Sequence, residues 1–162
     1  MQSESKDVIL LAQTVATASG VGGVLNVPDG YIGAIICIQC TAASGTSPTL
    51  NVFIQDQIFP SAATVDVALG KGTGTVIFDD FYAATQITAA ATKIMRFTSG
   101  SMVGSPNNAA TTSCDYAISD AALTAGSMRP GPLGNIWRVK YTIAGTSPSF
   151  SFNVTAKLIA WT

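Results

Sequence analysis

The chain has 162 residues, a length that suits one domain, and its 48% apolar content is enough to fill one core. Only 10% of the residues are charged, which suits a surface largely covered by neighbours and excludes charge-rich disorder. Eight Lys plus Arg against nine Asp plus Glu leave a net charge of -1, and the scattered basic residues exclude an electrostatic footprint for nucleic acid.

Residues 1–7 are polar and read as a flexible N-terminal arm, with neither the basic nor the apolar region of a secretory signal. No run of about eighteen apolar residues follows, so no membrane partner is expected, and synthesis and folding in a cytosol are. Val8 to Val15 alternates loosely and reads as a first strand that ends at Ser19-Gly20. Val24 to Val27 is a short second strand, stopped by Pro28-Asp29-Gly30, where Pro presets φ and Gly tolerates a positive one. From Ile32 to Cys40 the apolar residues run on rather than alternate, which predicts a strand covered on both faces.

A turn region from Ala42 to Pro48 leads into Leu50, Val52 and Ile54, which alternate with Asn51, Phe53 and Gln55. One face of that strand is core; the other, carrying Phe53, is a contact surface. Thr64 to Leu69 alternates again, and Thr75 to Phe78 opens another strand after Gly70, Gly72 and Gly74. Asp79 to Thr92 mixes helix-favouring Ala with strand-favouring Thr and Ile and reads as irregular, with a strand at Lys93 to Thr98. Ser99 to Thr112 is a long loop, and its length points to interaction. Tyr116 to Ile118 reads as a short strand and Asp120 to Ala125 as one helical turn closed by Gly126. Ile136 to Ile143 is the cleanest strand, with Trp137, Val139, Tyr141 and Ile143 on one face and Arg138 and Lys140 on a solvated one. Phe150, Phe152, Val154, Ala156 and Leu158 form the last apolar stripe. About eight short strands with Gly and Pro punctuation predict an all-β chain: one antiparallel β-sandwich, jelly-roll-like, over residues 8–162 with long loops.

Chemistry-bearing groups are few. The chain has no His, which excludes Ser-His-Asp and Cys-His systems and the commonest general base. The glutamate, Glu4, lies in the arm. Asp79-Asp80 is the acidic pair, but neighbours on a strand point to opposite faces, poor geometry for joint work and a weak case for Ca²⁺ beside plain loop solvation. Cys37 and Cys40 form a C-x-x-C inside a strand run and Cys114 is left over, so buried reduced thiols are expected rather than a redox pair or a zinc site. These residues predict no enzyme, no metal and no cofactor.

The sequence also repeats. Gly45-Thr46-Ser47-Pro48 and Gly145-Thr146-Ser147-Pro148 are one hundred positions apart, and the stripe Leu50, Val52, Ile54 falls on Phe150, Phe152, Val154. Each unit reads as strand, Gly-Thr-Ser-Pro, strand: a β-hairpin with a long connection. Upstream the parity slips, because Trp137 and Val139 fall on Cys37 and Gln39, and a bulge in one copy or two-sided burial of the first accounts for that. The motif lacks the Lys and the spacing of a phosphate-binding loop, so its role is structural.

The strings from Ala43 to Val52 and from Ala144 to Phe152, with Phe78-Asp79-Asp80-Phe81 and Thr85-Gln86-Ile87-Thr88 between them, resemble small β-rich virion proteins of tailed bacteriophages, most of all capsid decoration (cement) proteins. The resemblance implies a non-enzymatic subunit on the capsid exterior, made in the host cytoplasm, that binds and stabilises the major capsid protein lattice as a homo-oligomer, here a trimer. Contacts with that partner are assigned to Gln2, Ser3 and Ser5 in the arm, to Phe53, and to Met102, Asn107 and Asn108 in the long loop. The alternatives are a tail or fibre component, or a carbohydrate-binding sandwich using Trp137, Trp161, Tyr31 or Tyr82.

Overall fold

A computed structural model of the chain describes residues 3–27, 30–59, 77–98, 120–129 and 134–161. They form six strands in chain order: β1 Ser3–Ala16, β2 Gly20–Asn26, β3 Tyr31–Phe59, β4 Ile77–Ala83, β5 Ala91–Thr98 and β6 Ile136–Trp161. All pairings are antiparallel. The expected strands at Thr64 to Leu69 and Tyr116 to Ile118 and the loop at Ser99 to Thr112 lie outside the described residues.

Two of the strands are too long to be straight. β3 has 29 residues and β6 has 26; at about 3.3 Å per residue β3 alone would extend ~95 Å, while a compact chain of this size has a radius of gyration of about 15 Å. Both strands therefore bend. Tyr141 and Phe152 of β6, some 36 Å apart on a straight strand at that rise, instead meet edge to face with ring centroids 5.2 Å apart.

The bends are the two Gly-Thr-Ser-Pro motifs, and they coincide. β3 and β6 pair along their whole length, from Tyr31 opposite Ala160 to Asp56 opposite Trp137, with Thr46 opposite Thr146 at the centre. Gly45 and Gly145 take φ of 114° and 120°, and Ser47 and Ser147 take 49° and 50°. The expected hairpins are thus corrected. The halves of β3 do not pair with each other across the motif; each passes on to a different half of β6, and the motif is a corner at which both strands leave one sheet and enter another.

Splitting each long strand at its corner gives eight segments among the described residues. One sheet runs β1, second half of β6, first half of β3, β5; the other runs β2, first half of β6, second half of β3, β4. Numbered along the chain, these orders are 1-8-3-6 and 2-7-4-5, and the ladders 1·8, 2·7, 3·6 and 4·5 nest inside one another. The pairing is also two-fold symmetric about the corner: β1, β2 and β3 have the same neighbours as β4, β5 and β6 once β3 and β6 are exchanged.

Between the sheets lies one cluster of buried side chains. β3 supplies Ala34, Ile36, Ile38, Cys40, Leu50, Val52 and Ile54, and β6 supplies Trp137, Val139, Phe150, Phe152, Val154, Ala156 and Leu158. Fully burying each large aliphatic or aromatic member contributes about 1.5–3 kcal/mol before the entropy of ordering it. The register between Cys40 and Ala42 shifts by one residue. Thr41 is therefore the extra residue of a bulge, which places Ile36, Ile38 and Cys40 structurally on Trp137, Val139 and Tyr141 and removes the slip in the repeat.

Three local expectations change. Residues 3–7, read as an arm, are the start of β1 and pair with β6 from Trp161 to Lys157. Asp120 to Ala125 forms bends and a turn rather than a helix. The outward side of the first half of β3 is not covered like its inward side, since Ile35 and Cys37 are half-buried and Gln39 is exposed.

A Cβ on Gly45 would stand 2.7 Å from the Ser147 carbonyl oxygen, and one on Gly145 2.8 Å from that of Ser47. Gly45→Ala and Gly145→Ala each cost at least about 2 kcal/mol in urea unfolding, from the positive φ and the clash together. Gly23→Ala, with nothing within 4 Å of its Cβ, stays within about 1 kcal/mol of the parent.

Candidate functional site

The corner motifs put Gly, Thr and Ser at the surface in both copies, with Pro48 and Pro148 half-buried. The backbone of each corner packs against the other, Gly45 against residues 146–148 and Gly145 against residues 46–48. This is an architectural element, the junction of β3 and β6.

Part of the outer face of the second sheet, around Phe53 and Gln55, is covered. Phe53, assigned to partner contact, is 5% exposed, and its neighbour Gln55 is fully buried. The segment 120–129 lies over them. Its Ala121, Ala122 and Leu123 amides donate to the Asp80 carboxylate at 3.0 Å each, while Ser127 O accepts from Ala83 N and Arg129 N donates to Phe81 O, fastening the segment to β4. Three successive amides converging on one carboxylate is the arrangement of a backbone anion nest, and Ala121 is held there at φ 61°. A helical turn would have left those amides to a cap of its own. Asp80 takes them instead.

Around this clasp runs a polar network. Gln55 Nε2 donates to Asp80 Oδ1 at 2.6 Å and to Asp120 Oδ1 at 2.9 Å, and Gln55 Oε1 accepts from Arg138 Nε at 2.7 Å. Lys140 Nζ lies 2.8 Å from Asp120 Oδ1, and the Arg138 guanidinium sits 3.8 Å over the Phe78 ring. Burial works against the Asp120 charge, but hydrogen bonds from Gln55 and Lys140 and the charges of Lys140 and Arg138 outweigh it and hold the carboxyl below its ordinary range. Arg138 and Lys140, expected on a solvated face, are half-buried members of this network.

Asp79 and Asp80 do point to opposite faces, and neither is solvated: they are 4% and 0% exposed. Asp79 faces Arg129, with Arg129 Nε 3.5 Å from its Oδ2, and stands across the strand pair from Asp56. Asp56 accepts from the Gly134 amide, but its Oδ1 is buried without a hydrogen-bond partner. Burial, with the Asp79 charge adding to it, pushes the Asp56 carboxyl up to about 6 despite the Gly134 and Gln57 amides. Among the described residues no group of three or more His, Cys, Asp or Glu side chains is placed to hold a metal ion.

The outer face of the first sheet is open by contrast. Ile9 and Ile94 are 65% and 59% exposed, and a groove of about 560 Å³ beside Ile9 is lined by Asp7, Ile9, Ile35, Cys37, Thr155 and Lys157. Cys37 belongs to this face, whereas Cys40 points into the core, where burial pushes its thiol pKa up and its Sγ lies 3.3 Å from Ala42 O. The two thiols therefore share neither a face nor a ligand. Cys114 lies outside the described residues.

Of the other residues assigned to contact, Ser5 is exposed on β1, Ser3 is in the same strand, and Gln2, Met102, Asn107 and Asn108 lie outside the described residues. Trp137 and Tyr82 are buried, with Trp137 Nε1 donating to Gly134 O and its ring tilted against Phe81 5.3 Å away. They form no exposed sugar platform. Among the described residues no helix is long and apolar enough to cross a membrane. The sequence carried no signal for Gln55 as the hub of a network, because its partners lie 25 and 65 residues away.

No protein-family model matches the chain, and neither does any curated protein or any solved structure.

Asp80→Ala strands four donors around a buried site and lowers unfolding free energy by about 3–5 kcal/mol, read by denaturant titration. Asp56→Asn has the opposite sign at neutral pH. Its folded carboxyl titrates higher than the usual 3.8, so the parent loses stability as pH rises through the window from about 4 to 6, on the order of 2–3 kcal/mol in all. The amide variant lacks that loss and overtakes the parent above pH 6 in melts recorded from pH 4 to 8.

Proposed function

We propose that the chain is a non-enzymatic virion structural protein, a capsid decoration or cement subunit that binds the major capsid protein lattice and stabilises it. The observation that carries this reading is the nested pairing of the eight segments. A strip of four antiparallel strand pairs rolled on itself is the plan of a jelly roll, and double-sheet jelly rolls are recurrent in viral capsid and lectin domains. Fold by itself does not assign function, so the reading leans equally on the virion-like strings at the two corners and between them. The lectin branch is disfavoured because Trp137 and Tyr82 are core residues.

Low charge and the open face of the first sheet fit a subunit that works by covering surface. Clamping neighbours buries apolar area at about 25 cal/mol per Å², opposed by the cost of association. The network of Asp80, Gln55, Asp120 and Arg138 then serves to stiffen the second sheet, leaving the first as the contact face. A homo-oligomer on the capsid exterior, with catalysis and cofactors absent, completes the proposal.

Purified chain mixed with empty capsids of the virus that encodes it cosediments with them at saturating stoichiometry and raises the temperature at which the shells come apart. Protein left in the supernatant at every concentration, with unchanged shell stability, would remove the reading; immunogold label at tails rather than heads would replace it with a tail or fibre role.

A further inference from the structure

The four sheet edges are not treated alike. Along β4 the backbone of 126–129 bonds to residues 81–83, and β2 is glycine-rich and breaks register between Val21 and Val24. Covering an edge and bulging it are two ways in which proteins prevent strands of separate molecules from pairing. The first sheet has neither protection where it matters. β5 runs eight residues against β3 without a register shift, and β1 runs from Ser3 to Ile9 against β6 before its first shift. Among the described residues nothing pairs with the free side of either.

Those two edges also match. Reading straight across the four strands, one row is Ile9, Thr155, Cys37, Ile94 and the next is Asp7, Lys157, Ile35, Arg96. Each row ends in an exposed isoleucine at both edges, or in an exposed acid at one edge and an exposed base at the other. Successive strands alternate direction, so β1 of a second copy laid beside β5 in the same sense is antiparallel to it. Three intervening ladders alternate between hydrogen-bonded and non-bonded pairs, so Ile9 and Ile94 present the same kind of position at the two free edges, and their backbone groups are in step.

We propose that the β1 edge of one copy adds to the β5 edge of another, with Ile9 opposite Ile94 and Asp7 opposite Arg96, so that the first sheet continues from subunit to subunit. The occupant is a second copy because charge and apolar residues complement each other in one register. Such a contact is head-to-tail, and it closes into a ring or continues as a row according to the twist at each junction. The proposal rests on the reading of the chain as a self-assembling shell subunit and names the surface through which copies meet.

Sedimentation velocity of the full chain across micromolar concentrations tests it, with thermal melts confirming that each variant folds. Asp7→Arg and Arg96→Asp each place like charges at the junction and weaken self-association roughly tenfold or more. The double variant restores it, although the Asp7 pair with Lys157 is lost. Ile94→Lys, which leaves that pair untouched, weakens association as well. Single variants that associate like the parent, or a double variant no better than the singles, overturn the edge contact and leave the shell reading standing. A parent that stays monomeric overturns the edge contact too, and capsid cosedimentation then decides the shell reading on its own.

Discussion

Two strands must bend at the same point for this sandwich to exist. A ladder between β3 and β6 that runs from residue 31 to residue 56 survives a change of sheet only if both partners turn together, opposite one another. Gly45 lies against the backbone of 146–148 and Gly145 against that of 46–48. Each corner is the mould for the other, and a side chain on either glycine disturbs both. Everything outward depends on that junction: the two halves of β6 receive β1 and β2, and the two halves of β3 receive β5 and β4.

The two sheets built from this junction have different fates. Their strand neighbours are related by the two-fold pattern, yet the chain folds its own segment 120–129 across one outer face and none of its other described segments across the opposite one. Asp80 makes the difference, since its carboxylate collects amides from a stretch with no regular structure of its own. Phe53 and Gln55 become interior residues, while Asn153 and Thr155, their counterparts one hundred positions on, remain at a half-exposed surface.

Strand type was legible wherever an apolar stripe had a regular period, as in Trp137 to Ile143 and Phe150 to Leu158, because period-two burial depends only on local geometry. The matching stripes after the two motifs also revealed that the repeat is real. What they could not reveal is direction. Gly-Thr-Ser-Pro supplies the positive φ of a turn, and whether the chain reverses or only changes sheet is decided by the facing strand, which lies one hundred residues away. Phe53 looked outward for the same reason: period two names two faces, and a covering segment that makes the second face interior leaves no trace in the strand that it covers. Asp79 and Asp80 were read with the right opposition and the wrong environment, since a carboxylate in a β-strand advertises water until Arg129 and the 121–123 amides are known to be there.

The nesting of strand pairs sets an order of events in the cell. β6 lies between β1 and β3 in one sheet and between β2 and β3 in the other, so β1 and β2 have no partner until residues 136–161 have left the ribosome. The early strands, with Ile9, Val15, Val21 and Val24 among them, must wait as unpaired apolar chain until then. Pairings so distant in sequence close slowly and leave sticky edges exposed in the meantime. A fold that completes itself only with its last strand is thus a molecule for which the nascent chain, more than the finished one, needs protection from its own copies.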